Sequence, residues 1–160
     1  MTRCFIGLGS NLGNGPATLA RALAMLTELP QTRLLDRSGL YGSPPMAGMA
    51  QPDYTNAVAA LETTLSPLAL LDALQEIEQA LGRERHERWG SRTLDLDLLL
   101  YGDAVMQSER LTLPHYGMAE RAFVLIPLFE LAPQLVLPDG RQLTTLLAQC
   151  PAQPLYRLDS

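Results

Sequence analysis

The sequence predicts an α+β fold, a ferredoxin-like βαββαβ unit with an antiparallel sheet and helices packed against it. Three observations carry that reading. Short apolar runs alternate with stretches whose leucines and alanines recur every three or four residues, so strand and helix periods take turns along the chain. Their order is strand, helix, strand, strand, helix, strand, which is the split βαβ pattern. The 160 residues, 47% hydrophobic and 18% charged, fit one domain over 1–160 with a sizeable core.

Residues 4–8 form a short apolar run and read as a buried strand. Gly9, Ser10, Asn11, Leu12, Gly13 and Asn14 follow as a strand-to-helix turn, where glycine permits tight backbone geometry. Pro16 suits the first turn of a helix. Leu19, Ala22, Leu23, Leu26 and Leu29 then place an amphipathic helix over 16–29. Residues 32–41 read as the second strand, with Leu34, Leu35, Leu40 and Tyr41 as its apolar content. The stretch 42–52, GSPPMAGMAQP, reads as a loop that a ligand orders, as a lid does. Residues 53–63 read as the third strand.

Ser66 followed by Pro67 starts the second helix, an N-cap with proline at the first position. Leu70, Leu71, Leu74, Ile77 and Leu81 give its apolar stripe. Gln75 and Glu78 share another face, and Gly82 ends the helix. Leu94–Tyr101, LDLDLLLY, reads as the fourth strand of the unit. Beyond it Pro114 interrupts any strand, residues 118–131 read as a helix broken at Pro127, residues 135–137 as a short strand, and residues 143–150 as a last helix.

The chemistry concentrates in 82–101, GRERHERWGSRTLDLDLLLY. Its first half holds Arg83, Arg85, Arg88 and Arg92, and its second half holds Asp95 and Asp97. At the strand period the two aspartates project from one face, roughly 7 Å apart at their Cα atoms. Like charges so placed repel, and a divalent cation removes the penalty. A polyanion held by guanidinium groups and bridged to carboxylates by such a cation accounts for both halves. A solvated strand face and a merely charged loop are the plainer readings. Trp89 either plugs the core or stacks on a base. His86 reads as a surface residue, and His115, between Pro114 and Tyr116, is the better site candidate.

Charge and composition exclude several classes. A net charge of −5 argues against general nucleic-acid binding, which needs a basic footprint. All 12 basic residues are arginine, so no G-x-x-x-x-G-K-[ST] phosphate loop exists. Cys4 and Cys150 have neither metal-ligand spacing nor a disulfide-rich pattern, and free thiols in a reducing cytosol are the default. The first residues lack signal-peptide character and no run approaches a membrane span. We expect a soluble, cytoplasmic protein with no membrane partner.

The string G-R-x-R-x-x-R-W-G-x-R-T-L-D-L-D-L resembles the signature of the 6-hydroxymethyl-7,8-dihydropterin pyrophosphokinases, and the GSNLG turn resembles their opening. The resemblance runs from that turn to Pro138, Asp139 and Gly140. It implies transfer of pyrophosphate from ATP to a pterin alcohol in folate biosynthesis, on a three-layer α/β/α variant of the ferredoxin-like plan, by a monomer. Asp95 and Asp97 would hold two Mg2+ ions bridging the ATP phosphates. Arg83 and Arg92 would neutralise phosphate charge, and Asp97 or a metal-activated hydroxyl would supply the base.

Arg85, Arg88, Arg92, Arg110, His115, Tyr116 and Arg121 match nucleotide contacts, as do Gln75, Glu78, Trp89, Leu98 and Thr112. Ser43, Pro44, Met46, Tyr54, Asn56, Trp89 and Phe123 match the pterin pocket, with Tyr54 and Phe123 sandwiching the ring and the Asn56 amide offering a donor and an acceptor to its edge. Ser43 stands where the family more often has threonine, and Ser91 where it commonly has proline. The readings left standing beside this one are a non-catalytic pterin- or nucleotide-binding module, a metal-dependent phosphohydrolase and a purely structural domain.

Overall fold

The computed structural model describes residues 1–11, 14–44, 53–83 and 94–158. β1 (Thr2–Ser10) and β4 (Tyr54–Thr63) are the longest strands and pair antiparallel along their whole length, from Thr2 opposite Thr63 to Ser10 opposite Thr55. Both are central because both of their faces are buried, as a strand between two helical layers requires. β5 (Leu94–Tyr101) adds to the free side of β1. β2 (Thr32–Arg37) and β3 (Tyr41–Ser43) share the far side of β4. The antiparallel order β5-β1-β4-β2/β3 is the ferredoxin-like one, and the predicted fold class holds.

α1 (Gly15–Thr27) and α2 (Pro67–Arg83) cover one face of the sheet. The Asn14 side chain caps α1, accepting from the Ala17 N–H at 3.1 Å. Ser66 Oγ does the same for α2, accepting from Ala69 N at 3.2 Å, so both starts fall where the cap residues place them. Leu19, Leu26, Leu70 and Leu74 are wholly buried against Ile6 and Leu61; each such leucine contributes about 1.5–3 kcal/mol through burial. α3 (Ala122–Leu131) and α4 (Leu143–Gln149) cover the other face through Val124, Leu125, Leu128, Leu143 and Leu146. The result is the three-layer α/β/α stack.

Several boundaries differ from the sequence reading. Residues 32–41 are not one strand. At Ser38 the side chain enters the ladder, Val58 N donating to Ser38 Oγ at 2.9 Å. The chain leaves β2 there and resumes pairing at Tyr41, so Gly42 and Ser43 are strand rather than loop. Gly82 lies inside α2, which runs one residue further.

The break in 118–131 falls at Arg121, extended at φ −118° and ψ 109°, between a 3-10 turn (Met118–Glu120) and α3. Pro127 sits within α3. It forfeits one backbone bond, and the buried Val124, Leu125 and Leu128 on either side of it hold the helix. Residues 135–137 contribute only the single bridge between Val136 and Gln142. Two small pairings had no sequence signal: β6 (Met106–Gln107) with β7 (Thr112–Leu113), and β8 (Tyr156–Arg157) with β3.

Candidate active site

The site begins with the pleat of β5. Leu94, Leu96 and Leu98 enter the α1/α2 core, so Asp95 and Asp97 must face the other way. Register fixes what lies beside them: Asp97 is opposite Gly7 and Asp95 opposite Gly9. On its other side Gly9 is opposite Asn56, and Asn56 is opposite Tyr41. One row across the sheet therefore reads Asp95, Gly9, Asn56, Tyr41. A Cβ at Gly9 would stand 3.2 Å from Asn56 Oδ1, so the absence of a side chain lets the amide lie over the strand. The sequence signal for this is glycine at alternate positions of an apolar strand, Gly7 and Gly9; the strand expected over 4–8 takes in only the first, whereas β1 runs on through Gly9 to Ser10.

A third carboxylate approaches from α2. Glu78 Oε2 accepts from the Leu96 N–H at 2.7 Å, occupying the outer edge of β5, the last strand of the sheet. Burial pushes the Glu78 carboxyl up to about 6. The Leu96 N–H opposes the shift, and the Asp95 and Asp97 charges add to it.

Beside Asp97 opens a cavity of about 210 Å3 against Leu71, Leu96 and Leu98, rimmed by Arg110, Thr112, His115 and Tyr116. This brings together five of the expected nucleotide contacts and Asp97, an expected metal ligand: an apolar floor with polar groups at the mouth, as small-molecule sites are built. Arg110 is held to α2 by Asp72 Oδ1 at 2.5 Å and Gln75 Oε1 at 3.1 Å. Asp72 had no signal, since its partner is 38 residues away.

His115 Nδ1 accepts from Gly117 N at 3.2 Å, and Nε2 lies 3.9 Å from Asp97 Oδ1. Burial holds the imidazole below its ordinary 6.5, with Asp97 opposing and Arg121 assisting. The neutral ring therefore carries its proton on Nε2, toward Asp97. The Tyr116 ring stacks on it at 4.8 Å and is otherwise exposed.

Ser43, Tyr54 and Asn56 share the face of the aspartates. Asn56 is buried and donates through Nδ2 to Ser43 Oγ at 2.9 Å. Phe123, in the first turn of α3, packs on the same side, with the Arg121 guanidinium 5.7 Å above its ring. Pro44 is exposed at the end of β3. A larger, open cavity of about 540 Å3 lies round the start of β4 and includes Asp53 and Tyr54 but neither Asp95 nor Asp97; Asp97 lines the smaller one.

Arg85, Arg88, Trp89, Arg92 and Met46 lie outside the described residues, as do His86 and 45–52 of the expected loop. Arg83 closes α2, and its side chain lies outside them too.

Carboxylates on an edge strand, a cleft with Arg110 at its rim beside them and an amide-and-aromatic wall across a glycine floor are the parts that a nucleotide-dependent transferase on a ferredoxin-like scaffold needs. Comparison with known proteins gives the particular family. Residues 5–133 match the model of 7,8-dihydro-6-hydroxymethylpterin-pyrophosphokinase. The chain is 50% identical over 159 residues to the 2-amino-4-hydroxy-6-hydroxymethyldihydropteridine pyrophosphokinase of Haemophilus influenzae, covering 99% of each. It is 53% identical to the protein of that name from Pseudomonas aeruginosa, covering 98% of this chain and 96% of the relative.

A solved HPPK-DHPS triple mutant from Plasmodium falciparum superposes with a TM-score of 0.72 at 12% identity. That match covers 92% of this chain and 43% of the other, and speaks to the fold alone. The chain belongs to the 7,8-dihydro-6-hydroxymethylpterin-pyrophosphokinase family and is an ATP-using transferase of folate biosynthesis.

Proposed function

We propose that the protein transfers the β,γ-pyrophosphoryl group of ATP to the hydroxymethyl oxygen of 6-hydroxymethyl-7,8-dihydropterin and releases AMP. The observation that carries this reading is the row Asp95, Gly9, Asn56 with Asp97 opposite Gly7 beside it: a phosphate-side pair of carboxylates and a ring-side amide on one sheet face, with a bare strand between them. The cavity at Arg110, Thr112, His115 and Tyr116 takes the nucleoside end, and Leu98 and Leu71 supply its floor. Gln75 fixes Arg110 there. Ser43, Pro44, Tyr54, Asn56 and Phe123 take the pterin, joined by Met46 and Trp89 through the resemblance. Arg83, Arg85, Arg88, Arg92 and Arg121 supply the positive charge that a triphosphate needs.

Mg2+ fits this donor set. Asp95, Asp97 and Glu78 crowd negative charge at one strand edge, enough to help raise the Glu78 carboxyl. Among the described residues no group of three or more His, Cys, Asp or Glu could hold an ion unaided. Two aspartates with phosphate oxygens and water completing the shell is the habit of Mg2+. Asp95 and Asp97 would hold the ions, two in our reading, and when bound these neutralise charge on the phosphates.

The chain's own part is positioning. Asn56 orients the pterin, the glycine floor lets its hydroxymethyl oxygen approach the phosphate in line, and Asp97 accepts the hydroxyl proton, with His115 Nε2–H turned toward it. We further infer one domain over 1–160, a monomeric state and a cytoplasmic location. Supporting the first is a six-stranded sheet with cores on both faces. The free Cys4 and Cys150 suit a reducing compartment.

The test is nucleotide product analysis with ATP, Mg2+ and the pterin. AMP formed only when the pterin is present supports the reading. ADP with free phosphate would replace it with a hydrolase or an ordinary kinase.

A further inference from the structure

The residues from 151 to 158 do no work in the reading above, yet they touch both walls of the pterin pocket. Gln153 reaches the α3 wall. Its Oε1 accepts from Ala122 N at 2.9 Å and its Nε2 donates to Glu120 O at 2.8 Å. It thereby fills an orphan donor at the start of α3 that no side chain of the helix's own cap satisfies. Arg121 and Phe123 flank that N–H.

Three residues on, the same segment reaches the opposite wall. β8 pairs with β3, Tyr156 opposite Gly42 and Arg157 opposite Tyr41, and Leu158 N donates to Leu40 O at 2.9 Å. The Tyr156 ring lies over Gly42 where a Cβ would overlap it, and its hydroxyl donates to the Asp53 carboxylate. Gly42 precedes Ser43, and Asp53 precedes Tyr54. Arg157 stands over the Tyr41 ring at 5.2 Å. Its Nη1 lies 3.6 Å from Glu130 on α3, to which Tyr41 also donates at 2.7 Å. The segment and Glu130 therefore tie α3 to β3.

We propose that residues 151–158 form a positioning strap that sets the spacing between the two walls of the pterin pocket, Gln153 holding the Phe123 side and Tyr156 the Ser43 and Tyr54 side. A flat ring gripped between two walls is sensitive to their separation, because contact energy falls off within an ångström. The nucleotide cavity, on the far side of β5, shares no residue with the strap. The strap therefore acts first on pterin affinity: Tyr156 touches no nucleotide residue, and Gln153 stands beside only one, Arg121. This inference rests on the pterin site proposed above.

The experiment is steady-state kinetics on the full chain carrying Gln153→Ala, Tyr156→Ala or Tyr156→Phe, with Phe123→Ala as the control for the pocket itself. Gln153→Ala and Tyr156→Ala are expected to raise KM for the pterin about fivefold to tenfold, the scale of one hydrogen bond to a buried or charged group, with KM for ATP and kcat within about twofold. Tyr156→Phe keeps the ring over Gly42 and should recover part of the loss. Equal rises in both KM values would mean general loosening and would overturn the strap. So would an unchanged pterin KM in the strap variants while Phe123→Ala raises it. A silent Phe123→Ala would instead remove the pocket assignment, and the strap with it.

Discussion

Replacing Glu78 with glutamine should stabilise the protein at neutral pH while removing a charge from the active-site edge. The carboxyl is pushed from its ordinary 4.5 to about 6. A folded-state value raised above the unfolded one means that the folded protein prefers the acid form. The penalty is absent below pH 4.5, grows as pH rises toward 6, and is fully present above it. That difference corresponds to about 2 kcal/mol at 1.36 kcal/mol per tenfold. Glu78 is only half-buried, so screening brings the expected effect to about 1 kcal/mol.

Glutamine keeps an oxygen for the Leu96 N–H, which accepts no substitute from β1 because it points off the sheet edge. The melting temperature of Glu78→Gln should therefore exceed the parent's by about 2–4 °C at pH 8, and the gain should shrink at pH 5. Thermal melts by circular dichroism at the two pH values, without nucleotide or metal, decide it. A variant that melts below its parent at pH 8, or one whose gain is as large at pH 5, would show that the backbone hydrogen bond outweighs desolvation and that the charge crowding argued for this edge is absent.

Three other outcomes are expected. Asp97→Asn should lower kcat about a hundredfold or more, the usual scale for a lost general base, with pterin affinity measured by fluorescence unchanged; near-normal turnover would remove Asp97 as proton acceptor. Nitrogen NMR should find His115 neutral at pH 7 with its proton on Nε2, since Nδ1 accepts from Gly117 N; an imidazolium there would mean that Asp97 outweighs burial. Leu125→Ala, at a wholly buried site in the α3 core, should cost about 2–5 kcal/mol in urea denaturation.

How much of this the sequence disclosed follows from the range of each interaction. Local signals worked: Ser66 with Pro67, and Pro16 after the turn, started helices where expected, and the caps found there act within three residues. The alternation in LDLD put both aspartates on one face, because the pleat is local. Long-range replacements of local pairing did not announce themselves. Ser38 ends β2 by bonding to Val58 across the sheet, and β8 exists only because β3 has a free edge. Asp72 and Glu130 owe their roles to partners 38 and 91 residues away. Pro127 misled for the opposite reason: its local cost is real, and buried neighbours outweigh it.

The position of the site on the sheet has a single physical cause. Three adjacent strands change character within two rows of one another. Phe5, Ala60 and Leu100 form a row buried under α3 and α4. One step along, Gly7 and Asp97 still lie beside the buried Val58. At the next step all three strands have left the apolar set, as Gly9, Asn56 and Asp95. A sheet face that is apolar to its end would need covering, and one polar throughout would not hold α3. Ending the apolar set on all three strands within two rows lets the covered rows anchor α3, whose first turn carries Phe123 on the same side of the sheet. The helix that completes the core and the wall of the proposed pterin site are in this way the same element. For that reason a change at the start of α3, where Gln153 holds Ala122 N, reaches the ring site without passing through the nucleotide cavity.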